Sequence, residues 1–216
     1  MKINEITLKS FNFNEMKQFY TNVLQMQLIT EEDNLFSVKA GKTMLTFERS
    51  SHIPFYHFCL RTNDSYFDHM YERIKVLHIL LPNESGETLL FWEGKQAYFT
   101  DPDGNILEML VRPFLYDEQE PFGWFDIGEV GMPSKSVKEL QNLFASFVTD
   151  EMKHISDTFA FYGDEFGVFV LVKEGRHWYP TERPATIHPI KIAINGVNFH
   201  RWEHPSLPYT ISNNGC

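Results

Sequence analysis

Residues Lys2–Ser10 alternate with period two, with Ile3, Glu5, Thr7 and Lys9 on one face and Ile6, Leu8 and Ser10 on the other, which predicts a strand. The period then lengthens. Met16, Phe19, Tyr20, Val23 and Leu24 recur at helical spacing behind Asn14, a residue suited to an N-cap. Three extended stretches follow, Gln27–Glu31, Leu35–Ala40 and Thr43–Arg49, with a turn at Gly41 between the last two.

The same order then restarts. Tyr56–Thr62 reads as a strand, and Asp64 as the cap of a helix whose apolar face is Phe67, Met70, Tyr71 and Ile74. Extended pieces are predicted at Val76–Leu81, Thr88–Trp92 and Gln96–Thr100. The turn Asp101-Pro102-Asp103-Gly104 leads into Ile106–Arg112. A third start spans Phe125–Met132, and Ser136 with Glu139 forms a capping box for a helix lined by Val137, Leu140, Phe144 and Phe147. Strands follow near Thr158–Tyr162 and Val168–Lys173. Thr186–Ile194 opens a fourth unit that the turn-rich tail is too short to complete.

Recurrence on one plan implies an internal repeat. Several short strands per helix and an Asp-Pro-Asp-Gly hairpin favour a mixed α+β sheet over a doubly wound parallel one. The expected architecture is therefore repeated βαβββ modules forming cup-shaped mixed sheets. Residues 1–112 would hold two modules, and 123–216 a related, degenerate and truncated pair. The segment Arg112–Gly123, with two prolines and acidic residues, would link them.

Composition narrows the function classes. The net charge is −10 with no basic cluster, which argues against nucleic acid. No apolar run approaches the ~20 residues that span a bilayer, and the start lacks a signal-peptide core, so a cytoplasmic chain is expected. Cys59 and Cys216 form neither a disulfide framework nor a Cys-x-x-Cys pair.

Aligning the repeats places Glu5, His57 and Glu129 at corresponding first-strand positions, and Glu48 and Glu108 at corresponding last-strand positions. If the first two modules pair about a pseudo-twofold axis, Glu5, Glu48, His57 and Glu108 converge. One imidazole with carboxylates is a ligand set for a divalent cation. Alternation beyond the turn puts Ile106, Glu108 and Leu110 on one face, and a charge so flanked is costly unless paired or coordinated. In the second half Lys191 falls where His57 stands, which removes a ligand.

The segments FYTNVL, YHFCLRT and AYFTDPDGNILEM resemble the vicinal oxygen chelate superfamily of glyoxalase I, fosfomycin and bleomycin resistance proteins and extradiol dioxygenases. The resemblance implies paired βαβββ modules with ligands on first and last strands. His57 and Glu108 match ligand positions, Glu5 stands where the enzymes often have His or Gln, and Glu48 resembles the added carboxylate of glyoxalase I. It implies a divalent ion (Mn, Fe, Mg, Zn, Ni or Co), a small-molecule substrate with vicinal oxygens, and compatibility with a homodimer. Glyoxalase-type isomerase or lyase chemistry, with Glu48 or Glu108 as base, is favoured. Glu5 departs from the two-His, one-carboxylate triad of the dioxygenases, which stand as the alternative. A metal-free binding protein is a further alternative, with Phe47, Phe58, Trp92 and Phe99 available to line its cup. His200 and His204 are four apart, but Pro205 follows at once and the zinc-protease order is absent.

Overall fold

Alternating strands and the turns between them build two mixed sheets, which the computed structural model describes over residues 1–92, 94–112, 122–145, 152–195 and 200–213. The first unit comprises β1 (Lys2–Ser10), α1 (Phe13–Gln18), a π-helical turn over Phe19–Val23, β2 (Gln27–Glu31), β3 (Leu35–Ala40) and β4 (Thr43–Arg49). The second has β5 (His57–Thr62), α2 (Asp64–Lys75), β6 (Leu80–Leu81), β7 (Leu90–Phe91), β8 (Lys95–Thr100) and β9 (Ile106–Val111). The third has β10 (Trp124–Ser134), α3 (Val137–Phe144), β11 (Met152–Ser156), β12 (Phe159–Asp164) and β13 (Gly167–Lys173). The last strands are β14 (Ile190–Asn195), β15 (Arg201–Glu203) and β16 (Tyr209–Asn213). This is the expected α+β plan with its repeated units.

The partnership of the units differs from expectation. One sheet runs β15-β16-β14-β1-β4-β3-β2, the other β11-β12-β13-β10-β5-β9-β8-β6, with β7 beside β8. The first unit therefore shares a sheet with the C-terminal strands, through the antiparallel pair β1–β14. The second shares one with the third through β5–β10. Strand pairing crosses the expected division at 112/123. The strand expected at Thr186–Ile194 forms as β14, and the tail beyond it supplies two more strands, β15 and β16, to the first unit's sheet, more than its turn-rich sequence suggests. The expected linker residues 113–121, with Phe147 and Cys216, lie outside the described residues.

Local differences have local causes. A bulge between Ile3 and Glu5 turns Ile3 into the core and leaves Glu5 exposed, so strict alternation misplaces Ile3. The first helix starts before Asn14. The amides of Phe11 and Asn12 ahead of it donate to the Asp103 carboxylate at 3.0 and 2.7 Å, so the Asp-Pro-Asp-Gly turn satisfies the chain entering α1. Asn63, one residue before Asp64, caps α2 by accepting from the Tyr66 amide. Ser136 caps α3 as expected, accepting from Glu139 N.

Both sheets bury one face against the helices in a shared core. Phe47 packs there at 4.7 Å from Tyr20 and 5.1 Å from Phe36, ring to ring. Phe58 and Phe99 are also core residues, whereas Trp92 is exposed. Gly41 (φ 58°) lets the β3–β4 turn meet the second sheet, because a Cβ there would lie 2.1 Å from the Phe125 carbonyl oxygen. No helix among the described residues is long and apolar enough to cross a membrane. Phe47→Ala removes a fully buried ring and is expected to cost about 3–5 kcal/mol, read as a lowered urea midpoint at unchanged slope.

Candidate metal centre

The Asp-Pro-Asp-Gly turn sets the register of β9. Asp101 accepts from the amides of Asp103 and Asn105, both at 3.0 Å, and Gly104 takes φ 77° to close the turn. Beyond it Leu107, Met109 and Val111 enter the main core, and Ile106, Glu108 and Leu110 face the other way. Strand pairing then assembles one row across four strands: Tyr98 opposite Glu108, Glu108 beside Cys59, and Cys59 opposite Glu129. His57 lies two residues before Cys59 on the same face.

His57 and Glu108 meet within this row, Nε2 to Oε2 at 4.0 Å, and each is only 6% exposed. The Ile106 carbonyl holds Nδ1 of His57 at 3.0 Å, which fixes the proton on Nδ1 and leaves the Nε2 lone pair toward the carboxylate. Burial pushes the imidazole pKa down to about 4, against a smaller upward effect of that hydrogen bond. Glu108 moves the opposite way. Burial raises its pKa well above the usual carboxylate range, and the neighbouring Glu129 raises it further. A hydrogen bond from the Tyr98 phenol and the charge of Arg112 oppose the rise. Glu129, also 6% exposed, is held by a salt bridge to Arg112.

The expected four-residue cluster does not form. Glu5 and Glu48 belong to the other sheet, on β1 and β4. Glu48 is level with Lys9, four residues beyond Glu5, so even these two stand about 13 Å apart along the strands. Glu48 accepts from Lys9 and Lys191, each at 2.7 Å. Burial raises its pKa, but those two ammonium groups outweigh it and the net shift is downward. Sequence matching identified equivalent strand positions but not which units share a sheet. His204 Nδ1 accepts from the amides of Ser206 and Leu207, a structural use.

Sequence reasoning missed Arg112 and the segment 174–188. That segment is a hairpin, Trp178 N to Arg183 O at 3.0 Å and Ala185 N to Arg176 O at 2.8 Å, laid over the open face of the second sheet. Its Trp178 ring stands 4.7 Å from His57, and Tyr179 meets Tyr98 edge-on at 5.4 Å. Gly131 makes room, since a Cβ there would lie 2.7 Å from the Trp178 ring. Arg183 fastens the strap by donating to Gly104 O at 2.5 Å and stacking 3.6 Å over Phe55. Arg112 was detectable, because it continues the 108, 110, 112 alternation. Trp178 lay in a stretch without periodicity.

A divalent cation fits the pair His57–Glu108 in two respects: the imidazole tautomer is set for Nε2 ligation, and a dication would offset the cost of an ionised, buried Glu108. Among the described residues no group of three or more His, Cys, Asp or Glu side chains is placed to hold a metal.

Opposed shifts predict opposed pH responses in chelator-treated protein. A depressed His57 pKa means that the unfolded state binds the extra proton, so its share of stability falls as pH drops from about 6.5 to about 4. A raised Glu108 pKa means that the folded state binds it, so its share falls as pH rises above about 4.5. The Glu108→Gln variant should therefore lose stability on acidification from pH 7 to pH 5 more steeply than wild type. His57→Phe should show the reverse difference, and urea midpoints across this range read both.

The family model for the glyoxalase/bleomycin resistance protein/dioxygenase superfamily matches residues 2–109. A solved structure from Bacillus subtilis subsp. subtilis str. 168, provisionally named a dioxygenase, superposes with TM-score 0.65 at 16% identity, covering 99% of this chain and 85% of its own. A glyoxalase I variant from Zea mays superposes with TM-score 0.56 at 15% identity, covering 90% of this chain and 75% of its own. At these identities the likeness speaks to the fold. No curated protein sequence matches. With half of the sequence matching the family model and the module plan present in both sheets, the chain belongs to the glyoxalase/bleomycin resistance protein/dioxygenase superfamily.

Proposed function

We propose that this chain is a divalent-metal-dependent enzyme of the glyoxalase type, acting on a small substrate with two neighbouring oxygens, with His57 and Glu108 as its protein ligands. The observation that carries this reading is the buried His57–Glu108 pair, with Nδ1 committed to Ile106 and Nε2 turned to the carboxylate. An imidazole with a carboxylate suits Mn, Fe, Zn, Ni or Co, and leaves Mg the least favoured of the six metals expected from sequence. When bound, the ion supplies Lewis-acid polarisation of the substrate oxygens.

The remaining chemistry belongs to the side chains. Glu108, whose pKa burial raises, is the base that takes a proton from the carbon next to the substrate carbonyl. Tyr98 stands opposite Glu108 on the neighbouring strand, its phenol donating to Gln96 Oε1 at 3.4 Å, and its presence favours the ionised carboxylate. Glu129 is committed to Arg112, so the two buried carboxylates occupy different electrostatic environments, as an acid–base pair requires. Trp178 covers His57 and excludes water from the pair.

Metal analysis of protein purified without chelator tests the reading. Wild type should retain about one equivalent, a stoichiometry that follows from a single ligating pair. His57→Ala and Glu108→Ala should bind at least tenfold more weakly, an effect on the order of losing a ligand's own support. Glu5→Ala and Glu48→Ala should bind as wild type. Hemithioacetal isomerisation against oxygen uptake with catechols then separates the glyoxalase-type reaction from ring cleavage. A metal-free binding protein is the second reading, for which the strap's Trp178 beside His57 and the apolar cluster on that face supply an apolar wall. Metal-free wild type with unaltered behaviour in all four variants would overturn the metal reading.

A further inference from the structure

We infer that residues 174–188 are a hinged lid over the His57–Glu108 pair, latched by Arg183 and lifted to admit ligand. The inference rests on the reading of that pair as the functional site. Both side chains are only 6% exposed, so a ligand reaches the imidazole or the carboxylate only after part of their cover moves. Tyr98, Cys59 and Glu129 stand beside the pair on strands of the sheet itself and are fixed by its ladders. Trp178, 4.7 Å from the His57 ring, belongs to no sheet strand.

The strap is built to move as one piece. It leaves the end of β13 with Glu174 N donating to Ser134 O at 2.8 Å, and Arg176 packs at this base, 4.5 Å over the Phe159 ring. Beyond the base its backbone bonds close on the strap itself. Gly175 N donates to Ala185 O at 2.9 Å, Ala185 N to Arg176 O at 2.8 Å, Trp178 N to Arg183 O at 3.0 Å and Thr181 N to Trp178 O at 2.7 Å. Among the described residues, the one hydrogen bond from 177–186 to the cup is Arg183 Nη1 to Gly104 O at 2.5 Å.

The cover is lightly seated. Of residues 174–189 only Trp178 and Ala185 are buried, and Tyr179 adds one edge-on contact to Tyr98. Lifting the strap uncovers those two side chains, whereas parting β5 from β9 would break a central ladder and open the main core. Local opening therefore favours the strap over the sheet. Arg183 sets the balance, because its bond to Gly104 O and its stacking 3.6 Å over Phe55 exist only when the strap is down. Closed, the strap keeps water from the pair; open, it leaves Nε2 and the carboxylate facing solvent.

Chelator-treated protein is reacted with diethyl pyrocarbonate at about pH 7, where the neutral imidazole nitrogen is the nucleophile. Mass spectrometry of the tryptic peptide 50–61 reads His57 against the exposed His52 in the same fragment. Wild-type His57 should react far more slowly than His52. Arg183→Ala removes an exposed side chain with one charged hydrogen bond and one ring contact, and should speed His57 about tenfold. Hydrogen exchange at the Trp178 and Ala185 amides should quicken with it, while the Leu107 and Met109 amides of β9 stay protected, which is also the folding control. His57 reacting as fast as His52 in wild type overturns the cover. An unaltered His57 rate in Arg183→Ala overturns the latch and with it the lid. Quickening of the β9 amides in step with the strap overturns the hinge, because the sheet then opens as a whole. No metal is present in any arm, so loss of the metal reading leaves these outcomes intact, and loss of the lid leaves metal content unaltered.

Discussion

The antiparallel pairing of β5 with β10 is the constraint on which the site depends. It joins the second and third units in one sheet and puts Glu129 directly across Cys59 from Glu108. It also brings Arg61 opposite Asp126 and Gly131 within reach of Trp178. Together with the β5–β9 and β8–β9 registers, it sets the buried polar row. A one-residue slip would turn His57 and Glu108 toward the helices and Phe58 and Met109 toward the strap. Phe58, Leu60, Leu107 and Met109 on the helix side, against His57, Arg61 and Glu108 on the strap side, make such a slip costly, so the hydrophobic pattern also specifies the chemistry.

Much of this fold is legible in the chain because its units repeat the same local solution. The strands of the first unit fall where period-two stretches predict them, and the closing hairpin reads directly from Asp101 to Gly104. What the pattern cannot disclose is which units become partners. The first strands of all four units are edge-compatible segments of similar length and polarity, and the choice among them rests on contacts distant in sequence. Gly41 beneath Phe125, Trp124 Nε1 donating to Leu24 O at 2.7 Å, and Tyr209 donating to Pro133 O are examples. This is why Glu5 and Glu48, equivalent to His57 and Glu108 by position, end in a different sheet. Matching positions within a repeat establishes equivalence, and only sheet partnership establishes proximity.

The other illegible part is the strap. Residues 174–188 carry no period, and their turn with a cis Tyr179–Pro180 bond is built from prolines, charges and single aromatics. Yet they complete a second apolar cluster with Phe55, Ile106, Val168, Val170 and Val172 on the sheet's open face. Such a segment folds because the cup gives it a surface to cover. It gains its order from Trp178 and Ala185 and from the fastening at Arg183, rather than from propensity of its own.

Charge accounting joins these features. His57 is held neutral, so the interior row contains two carboxylates and, in Arg112, one permanent cation. Ionising both glutamates beneath an apolar strap leaves a net negative charge in a poorly solvated space, and the structure relieves it by raising the pKa of Glu108. A proton or a cation at Glu108 are the two ways to balance the row, and His57 bears on both. Its neutral Nε2 can ligate a cation but adds no positive charge. The same burial that shifts Glu108 toward its protonated form thus also makes its carboxylate receptive to a dication. Removing the strap's cover would weaken both tendencies together, because each derives from the exclusion of water.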